Sequence, residues 1–216
     1  IACAVWYLTQ LVALRKRVRG LEIAAEEATG QFSRIIRHLL NIVPQLNDSI
    51  DDPQIAGRMV ALYSFMQGKE LVGQERALGA LGFARGLFSD ELRQQLVDRI
   101  DGQQPCFDTF QALASSPQNV LFVEQCQAGL EIEQLRRVAC TRQPPPDEGE
   151  TALRWFCVQT QRLEQLRGVE ERLIADLLNA ADALLERDDR EVQVPPADWQ
   201  EDGIALRLDK QLGGWG

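Results

Sequence analysis

The segment QGKELVGQERALGALGFARGLF, residues 67–88, sets Lys69, Glu70, Glu75 and Arg76 close together among glycines and alanines. With helical spacing, Lys69, Gly73, Arg76 and Ala80 fall in line on one face, and Glu70, Gln74, Ala77 and Leu81 on the adjacent one. From Ala77 to Leu87 the segment is small or apolar nearly all round except Arg85, which suits a helix central among neighbours. A charge buried there must be paired, because an unpaired one loses several kcal/mol of hydration. Two arrangements meet that requirement. The charges can form a buried salt-bridge network that fixes helix register. Alternatively, one cation is left for a small anion, a task suited to arginine, whose planar donor fork matches a planar oxyanion. Gly57, Gly68, Gly73, Gly79, Gly82 and Gly86 each cost about 1 kcal/mol against alanine inside a helix. That cost is tolerable where a backbone or a ligand must come close.

Other chemistries find no residues. There is no nucleophile with an adjacent base, no paired catalytic carboxylates and no phosphate-binding glycine loop after a strand, so we expect neither an enzyme nor a cofactor. Cys3, Cys106, Cys126, Cys140 and Cys157 form no C-x-x-C pair, and with a single histidine, His38, they make no metal set. They read as reduced, mostly buried thiols of a cytoplasmic protein. The net charge of −9 argues against non-specific nucleic-acid binding, and on that ground no nucleic-acid partner is expected.

The elements that must position these residues are helices. Alternating β-branched runs and hairpin turns are absent, whereas helix caps are frequent. The opening IACAVWYLTQLVAL is apolar, short for a span, and followed by Arg15, Lys16, Arg17 and Arg19. Residues 1–20 therefore read as the end of a transmembrane or amphipathic anchor that would tether the protein to the inner membrane, with a helix buried in the domain as the alternative. Helical pattern continues to Pro44, with Phe32, Ile35, Ile36, Leu39, Leu40 and Val43 as its stripe. Asp52 and Pro53 start a long second helix running to about Arg85. Ser89 caps a third towards Ala114, with Pro105 expected to kink it or begin a new segment. A fourth starts at Pro117 and runs to about Cys140. After the break in TRQPPPDEG, a last helix from about Glu148 to Glu186 carries a seam of Leu163, Leu166, Leu173, Leu177 and Leu184, interrupted by Glu170. The fold class is all-α, an up-down bundle of about four or five long helices. Residues 21–186 form the bundle and 187–216 an irregular acidic tail.

The charged segment resembles the Lys-Glu-x-x-Gly-Gln-Glu-Arg-Ala segment of the nitrate- and nitrite-sensing (NIT) domain family. DDPQIAGRMVALYSFM is similar to the lead-in to it, and WFCVQTQRLEQLRGVEERL to the family's late Trp-Phe…Thr-x-Arg helix. The likeness covers roughly residues 30–186 and matches mainly the second half of such a domain. It implies packed helical bundles that bind nitrate or nitrite and regulate an attached output such as antitermination at the RNA level, chemotaxis or a kinase. It further implies an arginine-lined anion site, whose matching position is Arg76, with Lys69 beside it. An earlier Gln-x-Glu-Arg-Gly pattern supplies further arginine in the family; here Arg19-Gly20 survives, with Val18 where the glutamate would stand. Glu70, Glu75 and Arg162, in TQRLEQL, are the expected supporting network, Arg162 pairing across helices with Glu70 or Glu75. Arg136 and Arg137, in LRRV, read as a solvated helix face. The expected function is a sensory domain that binds nitrate or nitrite and signals through altered helix packing to a protein partner or by homo-oligomerisation. The alternative is a ligand-free scaffold or interaction module that keeps the bundle.

Overall fold

The computed structural model describes residues 2–47, 49–141 and 148–193, and every regular element among them is a helix. The all-α expectation holds. Two units divide the chain, residues 1–177 and residues 178–216. Of the second, the described part is the end of the last helix; the sites below lie in the first.

The elements in order are α1 (Ala2–Arg19), α2 (Ala25–Leu40), α3 (Ile42–Asn47), α4 (Pro53–Ala84), α5 (Asp90–Leu113), α6 (Ser116–Gln125), α7 (Leu130–Cys140) and α8 (Glu148–Gln193). The caps read from sequence are in place. The Asp52 carboxylate accepts from the Gln54 and Ile55 amides at 2.8 and 3.0 Å, and the Ser89 hydroxyl accepts from the Leu92 amide at 3.1 Å, satisfying donors that the first helical turn cannot pair itself. At the end of α4, Gly86 adopts φ 63°. Its amide bonds the Phe83 carbonyl and that of Leu87 bonds the Gly82 carbonyl, the paired closure that a left-handed glycine permits.

Several boundaries differ from expectation. The first helical region is not continuous to Pro44. It breaks after Arg19, where Leu21 takes φ 54°, and again between Leu40 and Ile42. Pro44 lies inside α3 instead of ending a helix, within the first turn, where a missing amide costs nothing. Pro105 neither breaks nor restarts α5, which runs on to Leu113. The long fourth helix is two, α6 capped at Cys126 and α7 entered from Gly129. At the far end α8 continues past Glu186 to Gln193; the rest of the expected tail, 194–216, and the proline break at 142–147 lie outside the described residues.

No helix among the described residues is long and apolar enough to cross a membrane. The anchor expected at residues 1–20 finds no support, because α1 is an element of the fold. It packs along α2, buries Leu14, stacks Tyr7 on His38 at 4.0 Å between ring centroids and pairs Arg17 with Glu27 at 3.6 Å.

The long helix α4 lies at the centre, with α5 as its main partner and α2, α3 and α7 also against it. It contributes to two apolar clusters. One gathers Phe65 and Val72 with Phe107, Phe110, Phe122, Leu166 and Val169. The other gathers Phe83 with Phe88, Leu96, Leu135, Ala139 and Trp155. In each long helix a polar residue falls in sequence between the two clusters: Glu75 in α4, Gln103 in α5, and Gln159 and Arg162 in α8, all buried.

Candidate functional site

The charges of the 67–88 segment do not pair with one another. The 100° step between successive helical residues sends each to a different neighbour. Lys69 forms a salt bridge with Glu170 of α8, the one charge in the leucine seam. Glu70 accepts from the Ser33 hydroxyl of α2 and from Gln74, each at 2.8 Å. Burial raises the Glu70 carboxyl above its ordinary range, against the pull of those two hydrogen bonds and of Arg37 and Arg99.

Glu75 is wholly buried and saturated with donors. Arg136 of α7 grips it with Nε to Oε1 at 2.8 Å and Nη2 to Oε2 at 2.7 Å. Gln103 of α5 donates to Oε2 at 2.7 Å, and Gln159 of α8 to Oε1 at 2.6 Å. Arg162 stands 3.8 Å from Oε2, donating also to the Gln103 side-chain oxygen at 3.1 Å and the Cys126 carbonyl at 3.2 Å. Burial pulls the Arg162 guanidinium down to about 10, against the charge of Glu75. For Arg136, burial acts the same way but is outweighed by Glu75 and Glu133, which leave it above its ordinary value. A carboxylate so enclosed has no face left for a ligand. It ties α4 to α5, α7 and α8 at once.

Arg76, the next residue, faces the other way. Its Nη1 donates to the Thr160 hydroxyl at 3.0 Å, and its guanidinium carbon lies 4.9 Å from the centroid of the Phe156 ring, within reach of a cation–π contact. Among the described residues no carboxylate comes within 4.0 Å of it, the salt-bridge limit. Burial lowers its pKa, with Glu164 opposing. It opens on a cleft of about 410 Å³ between α4 and α8, with Lys69, Glu70, Gly73, Arg167 and Glu170 in the lining. Behind it the backbone is pinned, since the Trp155 indole donates to the Arg76 carbonyl at 2.9 Å. That ring lies where Gly79 has no Cβ; one built there would come 2.2 Å from the indole. At Gly73, by contrast, a Cβ would meet nothing within 4 Å, so that glycine widens the cleft.

The structure thus brings Arg76, Lys69 and Glu70 to one cleft and places Glu75 and Arg162 in the buried hub behind it. Arg19 is exposed at the end of α1 and does not line the cleft. Residues that the sequence reading did not place at the site are Gln103, Gln159, Thr160, which stood only in the Thr-x-Arg motif, and Arg136, read as solvated yet with its side chain only 12% exposed. Among the described residues no group of histidines, cysteines and acids could hold a metal.

A bundle centred on this charged helix matches the family model described as nitrate and nitrite sensing over residues 2–178, and the chain belongs to that family. It is 89% identical over 212 residues to a nitrate regulatory protein of Klebsiella oxytoca, covering 98% of this chain and 54% of that protein. It superposes with a TM-score of 0.83 on the solved structure of the NasR transcription antiterminator, at 84% identity, over 98% of this chain and 54% of that one. The chain therefore spans about half the length of the relatives it matches. These relatives are regulators and not enzymes by name. They overturn the expectation drawn from net charge that nucleic acid is no concern of this protein, since a transcription antiterminator acts on transcription. The physical reason is that a net charge of −9 sums over a whole chain and does not describe any local surface of it.

Proposed function

We propose that this chain is the sensory part of a regulator, that it binds nitrate or nitrite in the α4–α8 cleft, and that Arg76 is the residue that holds the anion. The observation carrying this reading is that Arg76 is the one cation of the segment with no carboxylate within 4.0 Å among the described residues, Lys69 and Arg85 both being paired. Its Nη1 is held by Thr160 and its plane by Phe156, which leaves Nε and Nη2 for a planar oxyanion with parallel N–H···O bonds. Lys69 and Arg167 add positive potential, tempered by Glu164 and Glu170. Both groups that orient Arg76 belong to α8, as does the indole on its carbonyl, so the packing of α4 against α8 is what the anion senses. Binding shifts that packing to the extent that the anion prefers one of two arrangements. By likeness to the antiterminator, the response is passed to transcription antitermination in a protein of the relatives' length.

Thermal unfolding followed by circular dichroism, with nitrate, nitrite and chloride at matched ionic strength, tests this. Nitrate or nitrite should raise the melting temperature, through a stabilisation that grows with the logarithm of concentration and reaches about 2.7 kcal/mol at a hundredfold excess over Kd. Arg76→Gln should remove the response while keeping the fold, at a cost to the anion-free stability of about 1–2 kcal/mol for the lost Thr160 and Phe156 contacts. Equal shifts with all three anions, or a response that survives in the variant, would sink the proposal.

A further inference from the structure

On the side of α4 away from Arg76 runs a groove walled by α2 and α5. It consists of two adjoining clefts of about 240 and 260 Å³, with Ser33, Arg37, Gln74 and Arg99 lining both. One end and the middle differ chemically. One end is floored by Ala77, Leu78 and Leu81 of α4 and by Leu92 of α5, and beside it Glu26 is already paired with Arg85. On the α2 wall a Cβ built at Gly30 would meet nothing within 4 Å, so that wall stands back from the floor. In the middle sit Arg37 and Arg99. Neither has a carboxylate within 4.0 Å among the described residues; Glu70, already held by Ser33 and Gln74, is the acid whose titration they influence. Arg93, on the same helix as Arg99, shows the contrast, with both Nη groups donating to the Phe88, Ala139 and Thr141 carbonyls.

We propose that this groove is a second ligand site, for a small amphipathic monocarboxylate whose apolar body lies on Ala77, Leu78, Leu81 and Leu92 and whose carboxylate lies between Arg37 and Arg99. Two unspent guanidiniums beside an apolar floor reward one negative charge at one end of an elongated molecule. A cation would be repelled by both arginines. A second negative charge on the apolar body would meet Glu26. An inorganic anion would leave the apolar floor unused. The site does not depend on the reading of Arg76, which lines neither cleft.

Isothermal titration of the full chain with octanoate, octanol and octylammonium, below their aggregation concentrations, tests it. Octanoate should bind saturably at one per chain, and the other two at least about tenfold more weakly, a difference of about 1.4 kcal/mol. The double substitution Arg37→Gln, Arg99→Gln should bring octanoate down to the level of octanol. Gly30→Leu, which fills the groove from α2, should abolish binding. Both variants should keep the helical dichroism of the parent chain, and Arg76→Gln should bind octanoate unchanged. Octanol binding as tightly as octanoate, or octanoate binding unaffected by either groove variant, would overturn the proposal.

Discussion

Glu75 and Arg76 are neighbours in one helix and live under opposite rules. Glu75 sits at 0% exposure with donors from α5, α7 and α8 on both oxygens. Arg76 faces a cleft with one hydroxyl and one ring as partners. The difference shows how one short charged segment serves two purposes. A buried charge stabilises little by itself but imposes its arrangement, since any other leaves it unpaired. A charge with an incomplete shell is free to respond to what arrives. The first holds the second in place, through the backbone they share.

The comparison is broken most forcefully at Glu75. Glu75→Ala leaves Arg136 and Arg162 facing each other across an emptied core, and chemical denaturation should show a loss of about 3–5 kcal/mol. A loss under about 1 kcal/mol would mean that the hub is dispensable. Next comes the link between the two faces. Gly79→Ala forces the Trp155 ring away from α4 and should cost about 1–3 kcal/mol; because it displaces the indole from the Arg76 carbonyl, it should also weaken the nitrate response. The smallest effect is at Glu70. Its folded pKa is raised, so the stability it contributes is fully present below its unfolded value and is lost as pH rises through the folded one. Glu70→Gln should therefore stabilise the protein at pH 7, change little at pH 4, and flatten the pH profile between. A variant that is less stable at pH 7 would show that the ionised form is the one the fold prefers.

How far the sequence could be read depended on how local the determinant is. Asp52-Pro53 and Ser89 mark their helix starts because a cap bonds residues two or three positions away. The break at Leu21 escaped, because a left-handed leucine carries no local sign beyond the glycine preceding it. Continuity through Pro105 also escaped, since tertiary packing overrode a strong local preference. Arg162 was legible through the resemblance of its segment to the family's late helix, and it stands 3.8 Å from Glu75. Arg136 was not: its carboxylate lies 61 positions away, and nothing around it distinguishes a solvated arginine from a buried one. Gln103 and Gln159 were invisible for a further reason, as neutral amides acquire importance only from what they face.

The indole of Trp155 carries a practical consequence. It is fully buried beside Phe83, with its N–H committed to the Arg76 carbonyl, whereas Trp6 is 57% exposed. Apolar, rigid surroundings shift indole emission to shorter wavelengths, so these two of the chain's four tryptophans differ in colour; Trp199 and Trp215 lie outside the described residues, and Trp155 is isolated by replacing the other three with Phe. The protein therefore carries its own fluorophore, hydrogen-bonded to the residue proposed to meet the anion. Movement of α8 against α4 should appear in the blue part of the emission and in the near-ultraviolet dichroism, with no label attached.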